Sequence, residues 1–170
     1  NDISLNGDSA RTSLNKSNLT IHQNEIVGIA GVSGNGQSVL AKLISGLLEP
    51  DSGTLNINGE NIKYFSPNEM QSLGVGRIPE DRHHDGVIGA MSVAENLIIE
   101  RLNDKDINSR GFLQNKEINE NAKELIEKYD IRGPGVDAKA SLLSGGNIQK
   151  LILARVFECR PIVILANQPT

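Results

Sequence analysis

The sequence predicts an α/β fold built on a mainly parallel sheet with flanking helices. An apolar run at Ile26–Ala30 lacks polar alternation, as expected of a strand that is buried on both faces. A glycine-rich loop and a segment with helical apolar spacing follow it, and a second apolar run occupies Ile162–Ala166. Strands and helices that alternate in this order are typical of parallel sheets.

The other segments of the first half extend this pattern in chain order. Leu19–Ile21 alternates as a strand does, and Pro50 and Gly59 flank a predicted short strand at Thr54–Ile57. The segment after the glycine loop is predicted to be a helix. Its apolar face consists of Val39, Leu40, Leu43, Ile44 and Leu47.

The second half is predicted to be largely helical. Ser92 and Glu95 have the spacing of a capping box at a helix start. Ser144 is a suitable N-cap for a helix that reaches about Cys159. A further helix is predicted from Glu117 to Tyr129. Its apolar stripe consists of Ile118, Ala122, Leu125, Ile126 and Tyr129.

Composition and charge exclude several classes of protein. The 170 residues carry a net charge of −4 and have three Phe, two Tyr and no Trp, so a nucleic-acid partner is not expected. No apolar stretch approaches the roughly 18 residues of a membrane-spanning helix. The one cysteine, Cys159, suits a reducing cytoplasm. Because residue 1 is Asn, we expect the chain to be a piece of a longer protein.

The glycine-rich loop predicts a phosphate-binding site. Its spacing Gly-x-x-x-x-Gly-Gln-Ser is that of a P-loop in which Gln37 replaces the usual lysine and Ser38 holds the magnesium position. Gln37 brings no charge, which lowers the expected phosphate affinity roughly tenfold. A tight turn without a ligand is the alternative. The predicted nucleotide-binding residues are Gly31, Val32, Ser33, Gly34, Asn35, Gly36, Gln37, Ser38 and Val39.

A second glycine motif, Leu143–Lys150, reads Leu-Ser-Gly-Gly-Asn-Ile-Gln-Lys. A serine and two glycines at a helix start supply a hydroxyl and free N–H groups without side-chain obstruction, which is a receptor for anions. The alternative is an ordinary capped helix.

Together the two motifs resemble those of ABC ATPases, in which the second motif, called the signature, is usually Leu-Ser-Gly-Gly-Gln. The stretches Gly28–Ser38, Ile78–Gly86, Met91–Leu97 and Leu143–Lys150 carry this resemblance. It is strongest to the second nucleotide-binding domain of the tandem ATPase subunits of sugar- and nucleoside-type importers. Gln37 and Gln168 look more like the nucleoside branch than the ribose branch.

The resemblance implies a P-loop NTPase-type fold with a helical subdomain, truncated at its C-terminus. Residues 1–170 would be a partial nucleotide-binding domain, with a core at 1–84 and 142–170 and the helical subdomain at about 85–141. The D-loop and switch histidine of the family are expected beyond Thr170.

The catalytic positions that the family pattern implies are altered. Asn167 and Gln168 stand where the family has Asp and Glu before Pro-Thr, and Glu80 occupies the position of the Q-loop glutamine. Asn cannot supply the carboxylate that helps to hold Mg²⁺, and Gln cannot act as a base. The alternative is that Asn167 and Gln168 merely end a strand. We therefore expect no intact catalytic group and weak or absent hydrolysis by this chain alone. The neighbouring His83 and His84 indicate a metal site only superficially.

The resemblance implies ATP and Mg²⁺ as cofactors, with Mg²⁺ at Ser38. It also implies a second nucleotide-binding domain upstream in the same polypeptide, transmembrane permease subunits and, indirectly, an extracytoplasmic solute-binding protein. The location would be the cytoplasmic face of the membrane. Two alternatives stay open: a non-catalytic nucleotide sensor or structural domain, and a non-transport ABC ATPase. The signature residues expected to contact the partner domain's ATP are Ser144, Gly145, Gly146 and Asn147.

Overall fold

The computed structural model describes residues 1–7, 13–32 and 34–168. It divides the chain into two compact units, Asn1–Val75 and Gly76–Thr170. Within the part of the chain that the structure describes, no helix combines the length and apolar character needed to cross a bilayer. The predicted boundaries of the helical subdomain, about 85–141, stay a prediction.

The described residues of the first unit form two antiparallel strand pairs and two helices. Val39 and Leu43 are the buried residues of the first helix that form one core cluster with Ile3 and Leu5. Ser66 caps the second helix, where its hydroxyl accepts a hydrogen bond from Glu69 N at 3.2 Å. The strands are β1 (Ile3–Leu5), β2 (Leu14–Ser17), β3 (Asn56–Ile57) and β4 (Glu60–Asn61), and the helices are α1 (Gln37–Ile44) and α2 (Pro67–Ser72).

Two predicted strands of this unit are wrong. Ile26–Ala30 and Leu19–Ile21 form no strand, and the Ile26 side chain is 98% exposed. A strand needs backbone partners and packed faces, whereas the described apolar clusters of this unit gather on β1, β3 and the two helices and leave the run uncovered. The helix after the glycine loop is confirmed as α1, although Leu47 lies beyond its end. The predicted strand at Thr54–Ile57 is confirmed only for Asn56–Ile57, which form β3.

The second unit follows the predicted helical pattern. The expected helices are confirmed as α4 and α5, and the capping box is present, since Ser92 Oγ accepts from Glu95 N while Glu95 Oε2 accepts from Ser92 N. The apolar run at Ile162–Ala166 is confirmed as a strand. From Val75 onward, the elements are β5 (Val75–Ile78), α3 (Val93–Ile98), β6 (Asn108–Ser109), β7 (Phe112–Leu113), α4 (Asn115–Lys128), α5 (Gly145–Glu158) and β8 (Val163–Ala166).

Two buried polar side chains bond to backbone groups within the core that α3, α4 and α5 share. Asn96 is fully buried, and its carboxamide accepts from Ile88 N at 2.8 Å and donates to Ile88 O at 3.0 Å and Ser92 O at 2.9 Å. Arg155 of α5 donates to Gly86 O at 2.8 Å. Because Gly86 ends the turn that begins at Arg82, this bond ties the middle of α5 to that turn.

Candidate functional site

The glycine loop leads directly into α1. The helix begins at Gln37, and Gly36, the residue before it, has a φ of 90°. Gly34 has a φ of 89°. Both angles lie in the left-handed region that glycine adopts without a steric penalty, so these two glycines are required by the loop's own backbone.

The side chain of Gln37 folds back into this loop. Its Oε1 accepts a hydrogen bond from Asn35 N at 3.1 Å, and its Nε2 donates to Val32 O at 3.2 Å. A Cβ added to Gly31 would lie 2.5 Å from Gln37 Nε2, so the side chain fills the space that this glycine leaves. One N–H group of the loop is therefore directed at the protein's own carboxamide.

The other predicted nucleotide-binding residues have separate placements. Ser38 is exposed in the first turn of α1, where its hydroxyl can meet a ligand. Val39 is buried in the core cluster with β1, so only its backbone could contribute to binding. Ser33 lies outside the described residues.

The signature motif forms the start of α5. Ser144 is its N-cap residue, as predicted, and Ser144 O accepts the first intrahelical bond from Ile148 N at 2.9 Å. The Ser144 hydroxyl does not bond to the helix backbone, because it accepts from Asn147 Nδ2 at 2.9 Å instead. Among the described residues, the N–H groups of Gly145, Gly146 and Asn147 have no protein acceptor. Exposed N–H groups at a helix start attract anions.

The two signature glycines have different surroundings. A Cβ on Gly145 would lie 3.1 Å from Arg82 Nη2 and 3.2 Å from Arg82 Nε, so the guanidinium group packs beside this glycine. A Cβ on Gly146 would meet no neighbouring atom of the described residues within 4 Å. Gly146 is thus open to the approach of a ligand or partner. The Arg82 guanidinium lies beside the preceding residue, Gly145.

Asn147 links the signature to the segment after α4. Its Oδ1 accepts from Arg132 N at 2.7 Å. Asp130 joins the same segment to α5, since it accepts from Arg132 Nε at 3.0 Å and from Lys150 Nζ at 2.7 Å. Hydrogen bonds from Lys150 and then from Arg132 lower the pKa of Asp130. The sequence predicts that Asn147 contacts the partner domain's ATP. In the structure its carboxamide bonds to Ser144 and Arg132.

Two of the positions that the sequence predicts to be altered catalytic positions lie together in the second unit. Glu80 follows β5 and Asn167 follows β8, which pair with each other, and Asn167 N donates to Ile78 O at 3.0 Å. Asn167 Nδ2 donates to Glu80 Oε2 at 3.3 Å. An aspartate at this position would instead set two like charges side by side, so the amide suits its neighbour. Gln168 is exposed, and Pro169 and Thr170 lie outside the described residues.

The histidine pair lies in a single turn at Arg82–Gly86. Asp81 Oδ1 accepts from the backbone N of His83 and of His84, both at 2.9 Å, and these bonds lower the pKa of Asp81. A hydrogen bond with Asp85 raises the pKa of His84. No cluster of three His, Cys, Asp or Glu side chains suited to a metal occurs among residues 1–7, 13–32 and 34–168.

Sequence reasoning missed the two interactions that shape the signature. Arg82 and Arg132 both lie outside the signature motif, and nothing in their spacing pairs them with it. Arg82 was named only as part of the stretch Ile78–Gly86. The Asp130, Arg132 and Lys150 charges carry no pattern that distinguishes them from other surface charges.

Comparison with known proteins identifies the family. The family model for "ABC transporter" matches residues 14–170. The nucleoside import ATP-binding protein NupA of Lactococcus lactis is 42% identical over 152 residues, which cover 89% of this chain and 30% of that protein. The guanosine import ATP-binding protein NupO of Bacillus subtilis is 40% identical over 89% of this chain and 30% of its own length. The glucose import ATP-binding protein TsgD13 of Haloferax volcanii is 40% identical over 99% of this chain and 31% of its own length.

The chain therefore spans about a third of the length of these relatives. Among solved structures, a dimeric bacterial ABC transporter cassette has a TM-score of 0.77 at 24% identity, over 99% of this chain and 72% of the cassette. A dimeric ATP-binding cassette in a post-hydrolysis state, bound to ADP and Pi, has a TM-score of 0.76 over the same shares. These likenesses confirm the predicted fold class.

Proposed function

The chain belongs to the ABC transporter family, and we propose that it is the second nucleotide-binding domain of an importer for nucleosides or simple sugars. Its relatives named for nucleoside, guanosine and glucose import support this solute class. In the arrangement that the family resemblance implies, each ATP lies between the P-loop of one nucleotide-binding domain and the signature of another. The chain then contributes chiefly its signature, which completes the partner domain's site.

The contrast between the two glycine motifs carries this proposal. At the P-loop, Gln37 accepts from Asn35 N and adds no charge, so a phosphate must displace a protein hydrogen bond without gaining a cation. At the signature, the Ser144 hydroxyl is exposed, and the N–H groups of Gly145 and Gly146 have no acceptor among the described residues. The second arrangement keeps a hydroxyl and two N–H groups available with the Arg82 guanidinium beside them, which favours an anion there.

The residues present also fit magnesium poorly in this chain. Mg²⁺ prefers charged oxygen ligands, and Asn167 offers an amide that is already bonded to Glu80. Gln168 cannot take a proton from water. The Ser38 hydroxyl is the one element of the predicted magnesium site that keeps its expected chemistry.

ATP supplies the phosphoanhydride bond that is hydrolysed. The residues of this chain would bind and orient the phosphate of that ATP. The hydroxyl of Ser144 and the N–H groups of Gly145 and Gly146 would donate to phosphate oxygens. Arg82 adds a positive charge beside them. Donors fixed in advance toward developing negative charge are among the largest contributions that a protein makes to catalysis.

The proposed partners follow from the same premise. A second nucleotide-binding domain, upstream in the same polypeptide, would supply the intact P-loop and base. Transmembrane permease subunits would place the assembly at the cytoplasmic face of the membrane, and a solute-binding protein would act through them.

The test compares Ser144→Arg with Gln37→Ala in the full-length transporter. Ser144→Arg should lower the ATPase rate about 100-fold or more, because it removes a phosphate donor and fills its space. Gln37→Ala should change the rate by less than about threefold, since it removes only neutral hydrogen bonds within the loop. Ser109→Arg, in the β6–β7 hairpin, controls for the added charge.

A larger loss with Gln37→Ala than with Ser144→Arg would overturn the proposal. The second candidate function is a non-catalytic nucleotide sensor or scaffold, which the amides of Asn167 and Gln168 favour. In that case Ser144→Arg would leave the ATPase rate unchanged while solute uptake fell.

A further inference from the structure

We propose that Asn147 is a positioning residue, which holds the Ser144 hydroxyl as a hydrogen-bond donor toward bound phosphate. This inference rests on the proposed function of the signature. It assigns to Asn147 a contact with Ser144 rather than with the nucleotide.

The orientation of the Asn147 carboxamide is fixed by its partners. A backbone N–H can only donate, so the atom 2.7 Å from Arg132 N must be the oxygen, Oδ1. The other end of the carboxamide is then Nδ2, which can only donate. Its partner at 2.9 Å is Ser144 Oγ, which must accept.

The direction of this bond determines what Ser144 can do. A hydroxyl has one proton and two lone pairs, and one lone pair of Ser144 Oγ is now used by Asn147. The proton of Ser144 must therefore be directed away from Nδ2. Ser144 is exposed and lies beside the N–H groups of Gly145 and Gly146, which have no acceptor among the described residues, so all of these donors can serve one anion.

The acceptor side of Asn147 is itself held in place. Asp130 lies between Arg132 and Lys150, with distances of 3.0 Å to Arg132 Nε and 2.7 Å to Lys150 Nζ. Lys150 also donates to Asp130 O at 2.6 Å. These exposed ion pairs add little stability individually. They nevertheless hold the backbone at Arg132 against α5, which keeps its N–H directed at Asn147.

The substitution Asn147→Asp would reverse this polarity without changing the shape of the side chain. One oxygen of the new carboxylate could still accept from Arg132 N, so the link to that segment would survive. The second oxygen could only accept, so Ser144 would have to donate its proton to the carboxylate. The hydroxyl would then be lost as a donor to phosphate.

The experiment measures the ATPase rate of the full-length transporter with Asn147→Asp and Asn147→Ala. We expect Asn147→Asp to lower the rate about 10- to 100-fold and Asn147→Ala to lower it less. A merely structural role gives the opposite order, because Asp keeps the bond from Arg132 and Ala does not. Asn115→Asp, at the first residue of α4, is the matched charge control and should stay within about twofold of the unmodified transporter.

A double-mutant cycle with Ser144→Ala completes the test. We expect Asn147→Ala to have no further effect once the Ser144 hydroxyl is absent. An equal loss from Asn147→Ala in both backgrounds, or an Asp variant more active than the Ala variant, overturns the role of Asn147 alone. A rate unaffected by Ser144→Ala overturns the proposed function itself, so the two failures are distinguishable.

Discussion

The starts of α1 and α5 carry similar groups, but the hydrogen bonds of their carboxamide side chains differ. Each follows or contains glycines, and each has a carboxamide in its first turn. Gln37 uses its oxygen to accept from Asn35 N, which closes the glycine loop on itself. Asn147 uses its nitrogen to donate to Ser144 Oγ, which leaves the hydroxyl proton and the nearby N–H groups available. The same functional group thus bonds within the first glycine loop and, in our proposal, prepares the second motif to receive an anion.

The two helix starts also differ in the charge of the residues beside them. The residue at the lysine position of the P-loop is the neutral Gln37, whereas Arg82 packs beside Gly145 at the signature. A charged donor forms hydrogen bonds about twice as strong as a neutral one. Motifs that look alike in sequence can therefore differ in function through their neighbours.

Besides the Ser144→Arg test, a large effect on this comparison is expected from Gly146→Ala in the full-length transporter. Glycine inside a helix costs about 1 kcal/mol relative to alanine, and open space around Gly146 leaves room for a methyl group. We expect slower hydrogen exchange across α5 together with an ATPase rate lowered about 10- to 100-fold, because the methyl group would obstruct phosphate. An unchanged rate would show that no ligand approaches this side of α5.

A smaller effect is expected from Gln37→Lys, which restores the charge at the P-loop. The lysine should raise the nucleotide affinity of this loop roughly tenfold, as expected from the strength of a charge-assisted bond. Photolabelling of the full-length subunit with 8-azido-ATP, followed by mapping of the labelled peptides, measures this affinity. Gln37→Ala is the control without charge, and equal labelling of the Lys and Ala variants would contradict the argument.

The helices could be predicted from sequence because their signals are local. The stripe Ile118, Ala122 and Leu125 and the Ser92–Glu95 capping box lie within single elements, and both are present in the structure. The strand predicted at Ile26–Ala30 was wrong because an apolar run specifies burial but not the partners that provide it. Strand pairing depends on distant residues, which a local pattern does not contain.

The candidate site was predictable at the level of residue positions but not of hydrogen bonds. Gly31–Ser38 was located from its P-loop spacing, and Leu143–Lys150 from its serine and two glycines together with the family resemblance. The closure of the loop by Gln37 and the link from Asn147 to Arg132 depend on side-chain conformation and on contacts between separate elements. Likewise, Glu80 and Asn167 were noted as separate departures from the family pattern, and only the structure joins them by a hydrogen bond.

The most direct test of the central claim is to locate the γ-phosphate during turnover. An ATP analogue with a photoreactive group on its γ-phosphate would be cross-linked in the full-length transporter, and the labelled peptides of this domain identified by mass spectrometry. If this chain contributes its signature, the label should appear in Leu143–Lys150. Label confined to Gly31–Ser38 would contradict the account, because the ATP would then be held by this chain's own P-loop.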